Sequence, residues 1–380
     1  MPSENVKKKS TRIATFDLLR GYFMLSIIIN HLQWYPNGLD WVAFRGTLLV
    51  SAAEGFFLIS GIVLGIVRGA KLRTKPFREA AILLIKRGVL LYIVSVILAF
   101  LFTLIGWWFF MDTPGLKPGI RPIDQPLNEV IMGILSFRYI YGWADFLRLY
   151  SIFILISPLA LWLLRKNLWY VLMAISIGIW SLFPWALEVN NVSNTTSELL
   201  MVLSWQLIFF GGMTIGYHWD ALTKWWQSLT GRIRRSILIP VLAVAAVTLV
   251  VDVGISVMQA LGIAPAPVTE WYNSLRPFFN KEELPIYRLI LFGLWFILGF
   301  YIFSRYERII KKLFGWLLLP FGHNSLYVYI LHAVILFFAH MIILPGQGSN
   351  ILINAIGTFV ILGIIYIAVR KEFLFKIIPR

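Results

Sequence analysis

Long apolar runs recur along the whole chain, and short polar segments separate them. A helix needs roughly 20 apolar residues to cross a hydrocarbon layer about 30 Å thick. Ten runs approach or exceed this length, and they predict helices near residues 14–34, 43–67, 86–110, 146–164, 167–187, 199–217, 237–258, 286–304, 316–342 and 350–369. The pattern therefore predicts an all-α fold, a polytopic integral membrane protein with about ten transmembrane helices in one domain, 1–380.

Positive charge is distributed unevenly among the segments that connect these helices. If the N-terminus is cytoplasmic, most of the 34 Lys and Arg residues fall on the cytoplasmic side, in segments 7–12, 68–87, 165–166, 224–235, 305–312 and 370–380. Cytoplasmic loops of membrane proteins carry such an excess. One helix more or fewer would invert every later loop and destroy the asymmetry. The sequence thus predicts cytoplasmic termini, with tails 1–13 and 370–380.

Composition supports the same class of protein. Hydrophobic residues make up 59% of the chain, and charged residues 14%, where a soluble domain carries about 25%. A net charge of +16 in a soluble protein would suggest nucleic acid, but here the basic clusters lie between apolar runs. We therefore expect the lipid bilayer as a partner, no nucleic acid, and location in the cytoplasmic (inner) membrane. The absence of cysteine excludes thiol chemistry.

The first predicted helix carries three ionisable residues, Asp17, Arg20 and His31, which share one face of a helix. Arg20 and His31 are then about 16 Å apart along the axis. Because ionisable groups inside a membrane are costly and usually functional, an inner cation and an outer imidazole predict a path for a long ligand. The alternative is that Asp17 pairs with Arg20 at the inner surface, and that His31 lies at the rim beside Trp34.

The second predicted helix carries Glu54 at a depth similar to that of His31. A carboxylate beside an imidazole holds its tautomer and stabilises its protonated form, as a general base requires. His31 and Glu54 are therefore the predicted catalytic residues, and the alternative is a structural pair between Glu54 and Arg45. Three glycines at four-residue intervals, beginning with Gly61, predict close helix packing. The basic segment 68–87 fits either membrane orientation or a phosphate cradle.

Later segments carry further polar residues and long outer connections. His323 and His332 lie nine residues apart on opposite faces of one predicted helix, so they cannot share a metal ion, and no metal site is expected. The Pro-containing connections 111–142 and 259–285 are long enough to cover a site that faces outward.

Several motifs resemble those of membrane acyltransferases of the acyltransferase family three superfamily. They are Arg20 followed after ten residues by His31, the Phe-rich Ser-Gly segment 56–61, and the Tyr-rich segment 327–332 that ends in His. A closer resemblance is to the OpgC family, the succinyltransferases of osmoregulated periplasmic glucans. Its motifs occur in order over most of the chain, around Asp17, Glu54, Lys86-Arg87, 145–150, 204–212 and 321–326. One departure is Arg148, where that family often has proline.

The resemblance implies transfer of an acyl group, succinyl or acetyl, from cytosolic acyl-CoA to a hydroxyl of an extracytoplasmic glycan. Acyl-CoA would be a co-substrate, with no tightly bound cofactor. The predicted donor-binding residues are Asp17, Arg20, Ser60, Arg68, Lys86, Arg87 and His323. The predicted acceptor-binding residues are Asp145, Arg148, Trp205, Gln206 and His332.

The donor and the course of the reaction stay open at this point. A succinyl group would need an outer cation, which Arg138, Arg148 or Arg288 would supply, whereas an acetyl group would not. Transfer would be direct, with His31 as general base, or would pass through an acyl-His31 intermediate.

Two other functions compete with acyl transfer. A transporter or flippase for an anionic or lipid-linked glycan would use the same polar face as a translocation path, although the sequence shows no internal repeat. A purely structural membrane protein, the least favoured, leaves Asp17, Arg20, His31 and Glu54 without a role. A homodimer is compatible with the sequence.

Overall fold

A computed structural model describes residues 13–70, 76–109, 126–139, 142–183, 194–344, 346 and 350–379, and these ranges contain helices and connecting segments but no strand. The main helices are α1 Ala14–Leu32, α2 Asp40–Ala43, α3 Ala52–Leu64, α4 Phe77–Phe109, α5 Leu127–Leu135, α6 Asp145–Arg165, α7 Trp169–Ser181, α8 Asn194–Tyr217, α9 Trp219–Ser228, α10 Gly231–Ala260, α11 Ala266–Leu275, α12 Ile286–Arg305, α13 Glu307–His323, α14 Ser325–Ile342 and α15 Ile351–Arg370. A π-helical turn, Gly65–Ala70, extends α3.

Seven of the described helices are long and apolar enough to cross a membrane: α3 with its π-helical turn, α4, α6, α10, α12, α14 and α15. Two shorter apolar helices, α7 and the 201–217 part of α8, add to this set. Many of their large apolar side chains are exposed on the surface of the protein, as a hydrocarbon solvent allows. The prediction of an all-α membrane protein is confirmed.

Small residues bring the central helices into backbone contact. A Cβ atom at Gly61 of α3 would lie 2.1 Å from the carbonyl oxygen of Phe209 in α8, and one at Gly216 of α8 would lie 2.0 Å from that of Ile62. The predicted role of the Gly61 series in close packing is therefore confirmed. Helix α1 contacts α13 in the same way, because a Cβ at Gly21 would lie 2.0 Å from the carbonyl oxygen of Leu318.

The contact at Gly21 gives a first testable prediction. Gly21→Ala places a methyl group against a main-chain atom, so α1 and α13 must separate, and we expect a loss of about 1–3 kcal/mol in the free energy of unfolding. The measurement is the thermal unfolding of the purified variant in detergent. Gly363→Ala is the matched control, since its Cβ would have no neighbour within 4 Å. Equal unfolding temperatures for the two variants would contradict the prediction.

The second predicted helix, 43–67, begins later than the apolar pattern indicated. Residues 44–51 form a short 3-10 turn and a loop, and α3 starts at Ala52. The reason is a capping box, in which the side chain of Ser51 binds the main chain of Glu54 and the Glu54 carboxylate binds the main-chain N–H of Ser51. This cap fixes Glu54 in the first turn of α3 and leaves the preceding loop free to line a cavity.

The ninth predicted helix, 316–342, is two helices. Helix α13 begins already at Glu307 and ends at His323, and α14 begins at Ser325. Pro320 lacks a main-chain N–H, and at Asn324 both the main-chain N–H and the side-chain amide donate to the carbonyl oxygen of Pro320, at 3.2 Å and 3.0 Å. This break separates two helices that the hydrophobic run presented as one.

The two long outer connections contain helices of their own. Helix α5 lies within 111–142, most of whose other residues are outside the described ranges. The connection 259–285 contains α11 and the 3-10 turn Arg276–Phe279. The second connection supplies part of the wall of the cavity described next.

Candidate functional site

A cavity of about 650 Å³ lies where the end of α1 meets the loop before α3, the start of α6 and the connection before α12. Its wall includes His31, Trp143, Asp145 and four basic residues, Arg45, Arg276, Lys281 and Arg288. His31 is partly accessible from this space. The cavity therefore combines an imidazole with a predominantly cationic wall.

Hydrogen bonds fix the tautomer of His31. The Nδ1 atom of His332 contacts the carbonyl oxygen of Tyr329, which can only accept, so this nitrogen of neutral His332 carries the proton. The Nε2 atom of His332 is then an acceptor, and it lies 3.0 Å from Nδ1 of His31. His31 must donate from Nδ1, which leaves a lone pair on its Nε2 atom. No described residue hydrogen-bonds Nε2, so His31 has the tautomer of a general base.

A tryptophan also packs against the His31 ring. The ring of Trp143 lies with its centroid 4.4 Å from that of His31, at an interplanar angle of 31°. The indole N–H of Trp143 donates to Nδ1 of His340 at 3.1 Å, and Nε2 of His340 donates to the carbonyl oxygen of Leu32 at 3.3 Å. This series of hydrogen bonds ends at the last residue of α1, so it stabilises both the His31 ring and the helix that carries it.

The structure gives Glu54 a different partner from the predicted one. Glu54 is fully buried and binds Arg288, whose Nε atom donates to its Oε1 atom at 2.6 Å. Its other oxygen accepts from the main chain and hydroxyl of Ser51. The imidazole partner of His31 is His332 instead, and the alternative pair of Glu54 with Arg45 is not formed, because Arg45 pairs with Asp40 at 2.7 Å. Glu54 thus anchors α12 to α3 beneath the cavity.

The polar face of α1 contacts the two consecutive helices α13 and α14 along its length. Asp17 lies 3.2 Å from Nε2 of His323 in α13, and Arg20 donates to the hydroxyl of Ser325, the first residue of α14, at 2.5 Å. The helix break at Asn324 presents that hydroxyl at the level of Arg20. One face of α1 therefore carries ionisable side chains from Asp17 to His31, and each contacts α13 or α14.

Two further cations lie together at the far end of α3. Arg68 follows Glu54 by fourteen residues, about 20 Å along the axis, and its charge interacts with that of Arg87 in α4. Two guanidinium groups whose charges interact attract a polyanion such as phosphate. Lys86 is exposed, and Ser60 is buried within α3 with no hydrogen-bond partner in the described part of the chain.

Among the predicted acceptor-binding residues, only Asp145 lines the cavity. His332 is buried behind His31, and Arg148 is buried and donates to the carbonyl oxygen of Phe137 at 3.0 Å. Trp205 and Gln206 are also buried, and they bind the main chains of Lys281 and Ser176 at 3.1 Å and 2.7 Å. These four residues do not line the cavity, and their contacts are with other parts of the protein.

A family model described as OpgC protein matches residues 12–376. The chain belongs to the OpgC family. Membership of the OpgC family supports acyltransferase activity and glucan modification in general, and it confirms the predicted resemblance to that family. No curated protein and no solved structure matches the chain.

Sequence reasoning about this OpgC-family chain missed Trp143, Lys281 and His340. Trp143 and His340 bear on His31 only through contacts between distant segments, and the sequence offers no signal for them. The sequence weakly indicates that Lys281 lies at the site, because the residue belongs to the connection 259–285 that is predicted to cover it. In the described ranges, no group of three His, Asp or Glu side chains is arranged to hold a metal ion.

Proposed function

We propose that this protein is a membrane O-acyltransferase that moves a succinyl or acetyl group from cytosolic acyl-CoA to a hydroxyl of an extracytoplasmic glycan. The observation that carries the proposal is the hydrogen bond between His31 Nδ1 and His332, which leaves a lone pair on Nε2 of a residue that lines a cavity large enough for a sugar ring. Membership of the OpgC family supports the same class of reaction.

In the proposed reaction, His31 Nε2 takes the proton of an acceptor hydroxyl. The hydroxyl oxygen attacks the thioester carbonyl carbon, the carbon–sulfur bond breaks, and the imidazolium returns the proton to the CoA thiolate. The products are a glycan ester and free CoA. His332 stabilises the imidazolium by accepting from Nδ1, and Trp143 keeps the ring in its plane.

The proposed topology is ten membrane crossings with both termini in the cytoplasm. Helix α1 runs parallel to α13 and α14, because Thr15 contacts Glu307 near the starts of α1 and α13 at 2.8 Å, and His31, near the end of α1, contacts His332 in α14. Arg68 and Arg87 then lie on the cytoplasmic side, and the cavity lies on the outer side. This is the distribution of charge expected in the inner membrane.

The donor would bind across the bilayer. Arg20, Arg68 and Arg87 would hold its phosphates, and the pantetheine arm would follow α1 over the roughly 16 Å to His31. Met24, Ile27 and Ile28 are buried along this stretch of α1, so the arm would displace side chains there. Methionine is flexible enough to allow such a movement.

The test is an assay on proteoliposomes with acyl-CoA on the side of Arg68 and a glucan on the other side. We expect free CoA and a glucan whose mass has increased by one acyl group. Mass spectrometry of periplasmic glycans from cells with and without the protein would identify the acyl group and its carrier together. Glycan uptake without any acylated product would instead favour a transporter.

His332 gives a prediction about positioning. His332→Phe removes the acceptor for His31 Nδ1, so we expect kcat to fall about 10- to 100-fold, with little change in KM for acyl-CoA. His332→Gln retains a side-chain oxygen that can accept, and it should recover part of the loss. Steady-state kinetics of both variants check the prediction. A rise in KM alone, or equal losses in the two variants, would contradict it.

A further inference from the structure

The four basic residues of the cavity wall differ in how their charges are compensated. Arg45 pairs with Asp40, and Arg288 pairs with Glu54. Arg276 donates to the carbonyl oxygen of Thr47 at 3.4 Å. The ammonium group of Lys281 has no hydrogen-bond or ion-pair partner among the described residues, and it lies 5.1 Å from the centroid of the Phe146 ring. Lys281 is thus the one basic residue of the described wall whose charged group has neither a hydrogen bond nor an ion pair with a described residue.

Several hydrogen bonds hold the main chain around Lys281 in place. The indole of Trp205 donates to the carbonyl oxygen of Lys281 at 3.1 Å, and the hydroxyl of Ser204 donates to that of Glu282 at 2.5 Å. Trp180 binds the carbonyl oxygen of Leu284 at 3.0 Å. A connection between helices that is fixed at three points presents its lysine with little loss of main-chain entropy on binding.

The charge of Lys281 influences the predicted catalytic residue His31. Its positive charge acts on both His31 and Asp145. The ring of Phe146 below it is packed against Phe57 and Trp205, with centroids 5.3 Å and 5.4 Å away, so the ammonium rests on a rigid aromatic surface. Lys281 is the cation of the described wall whose charge acts on His31, so an anion on a substrate whose carbonyl lies at His31 would be attracted to it.

We propose that Lys281 is a specificity-determining residue that binds a carboxylate of the substrate in this cavity, and thereby favours acidic over neutral substrates. The proposal rests on the proposed acyl transfer. Either of the two substrates can carry the carboxylate. In the donor it is the free end of a dicarboxylic acyl group, which in succinyl-CoA lies two methylene groups from the thioester; in the acceptor it is an acidic group on the glycan. The influence of Lys281 on His31 favours the acyl group.

The kinetic experiment uses the full chain in proteoliposomes with succinyl-CoA or acetyl-CoA, each with a neutral glucose oligosaccharide or its carboxymethylated form. An exposed charge-assisted hydrogen bond predicts a loss of about tenfold in kcat/KM for succinyl-CoA in Lys281→Met, and less than about twofold for acetyl-CoA. Lys281→Arg should retain most of the succinyl activity. Lys312→Met, which removes an exposed lysine of α13, is the matched control.

The pattern of losses identifies the source of the carboxylate. A loss confined to succinyl-CoA assigns it to the acyl group, and a loss confined to the carboxymethylated acceptor assigns it to the glycan. Either result supports the proposal. An equal loss with all four substrate pairs, or no loss with any of them, overturns it.

A binding measurement separates this proposal from the proposed function. Two thioether analogues of CoA that cannot transfer a group, one ending in a carboxylate and one in a methyl group, are titrated against the purified protein. We expect the carboxylate to improve affinity about tenfold in the wild type and not in Lys281→Met. If that difference is found in a protein that transfers nothing, acyl transfer fails and the anion site stands. If transfer occurs but neither donor nor acceptor carboxylate depends on Lys281, only the present proposal fails.

Discussion

Replacement of His31 by alanine is expected to lower the rate of acyl transfer by about 10²- to 10⁴-fold, the usual contribution of a general base. His31 lines the cavity, and its Nε2 atom has no hydrogen-bond partner among the described residues, so the substitution removes the group that accepts the hydroxyl proton. The donor phosphates would bind some 16 Å away along α1, and KM for acyl-CoA should therefore change little.

Two controls separate chemistry from folding in this variant. His218→Ala removes a histidine from the turn between α8 and α9, far along the chain from the cavity wall, and it should retain full activity. Imidazole added to His31→Ala should restore part of the rate, because the cavity of about 650 Å³ has room for it beside an acceptor. Undiminished transfer by His31→Ala would remove this residue from the mechanism.

The ion pair between Glu54 and Arg288 gives the largest expected effect on stability. Glu54 is 0% exposed and Arg288 5% exposed, and the guanidinium also donates to the carbonyl oxygen of Phe279 at 2.6 Å. Arg288→Met leaves a buried carboxylate without its cation, which costs about 3–5 kcal/mol in the free energy of unfolding. The measurement is thermal or denaturant unfolding of the purified protein in detergent.

A double variant tests whether the cost comes from the unpaired charge. Glu54→Leu combined with Arg288→Met removes both charges, so it should be more stable than Arg288→Met alone. Lys311→Met breaks an exposed i,i+4 pair with Glu307 and should cost less than about 0.5 kcal/mol. If the double variant is as unstable as the sum of its single variants, packing rather than charge explains the loss.

The helices and the chemistry of α1 could be predicted because both follow from local patterns. Apolar runs predict membrane helices, since every main-chain polar group must be paired inside lipid. The helical period places Asp17, Arg20 and His31 on one face, and the structure finds contacts from all three to α13 or α14. The motif around Gly61 predicted close packing for a similarly local reason.

The partners of these residues could not be predicted, because they come from segments that are distant in the chain. Glu54 and His31 lie at a similar depth, yet Arg288 reaches the carboxylate and His332 reaches the imidazole. Nothing in the local sequence ranks His332 above Glu54 as the partner of His31, since either side chain satisfies the same donor.

By itself the sequence determined that the chain is a helical membrane protein of the OpgC type, with an imidazole and a cation on one face of its first helix. Hydrophobicity and helical period are properties of consecutive residues, and they suffice for these conclusions. Only the tertiary structure decided that His332 sets the tautomer of His31, that Glu54 anchors Arg288, and that Lys281 lines the cavity without a hydrogen bond or ion pair to a described residue. Those outcomes depend on which side chains meet when the helices pack, and the pairing of charges in a low-dielectric interior follows from that geometry.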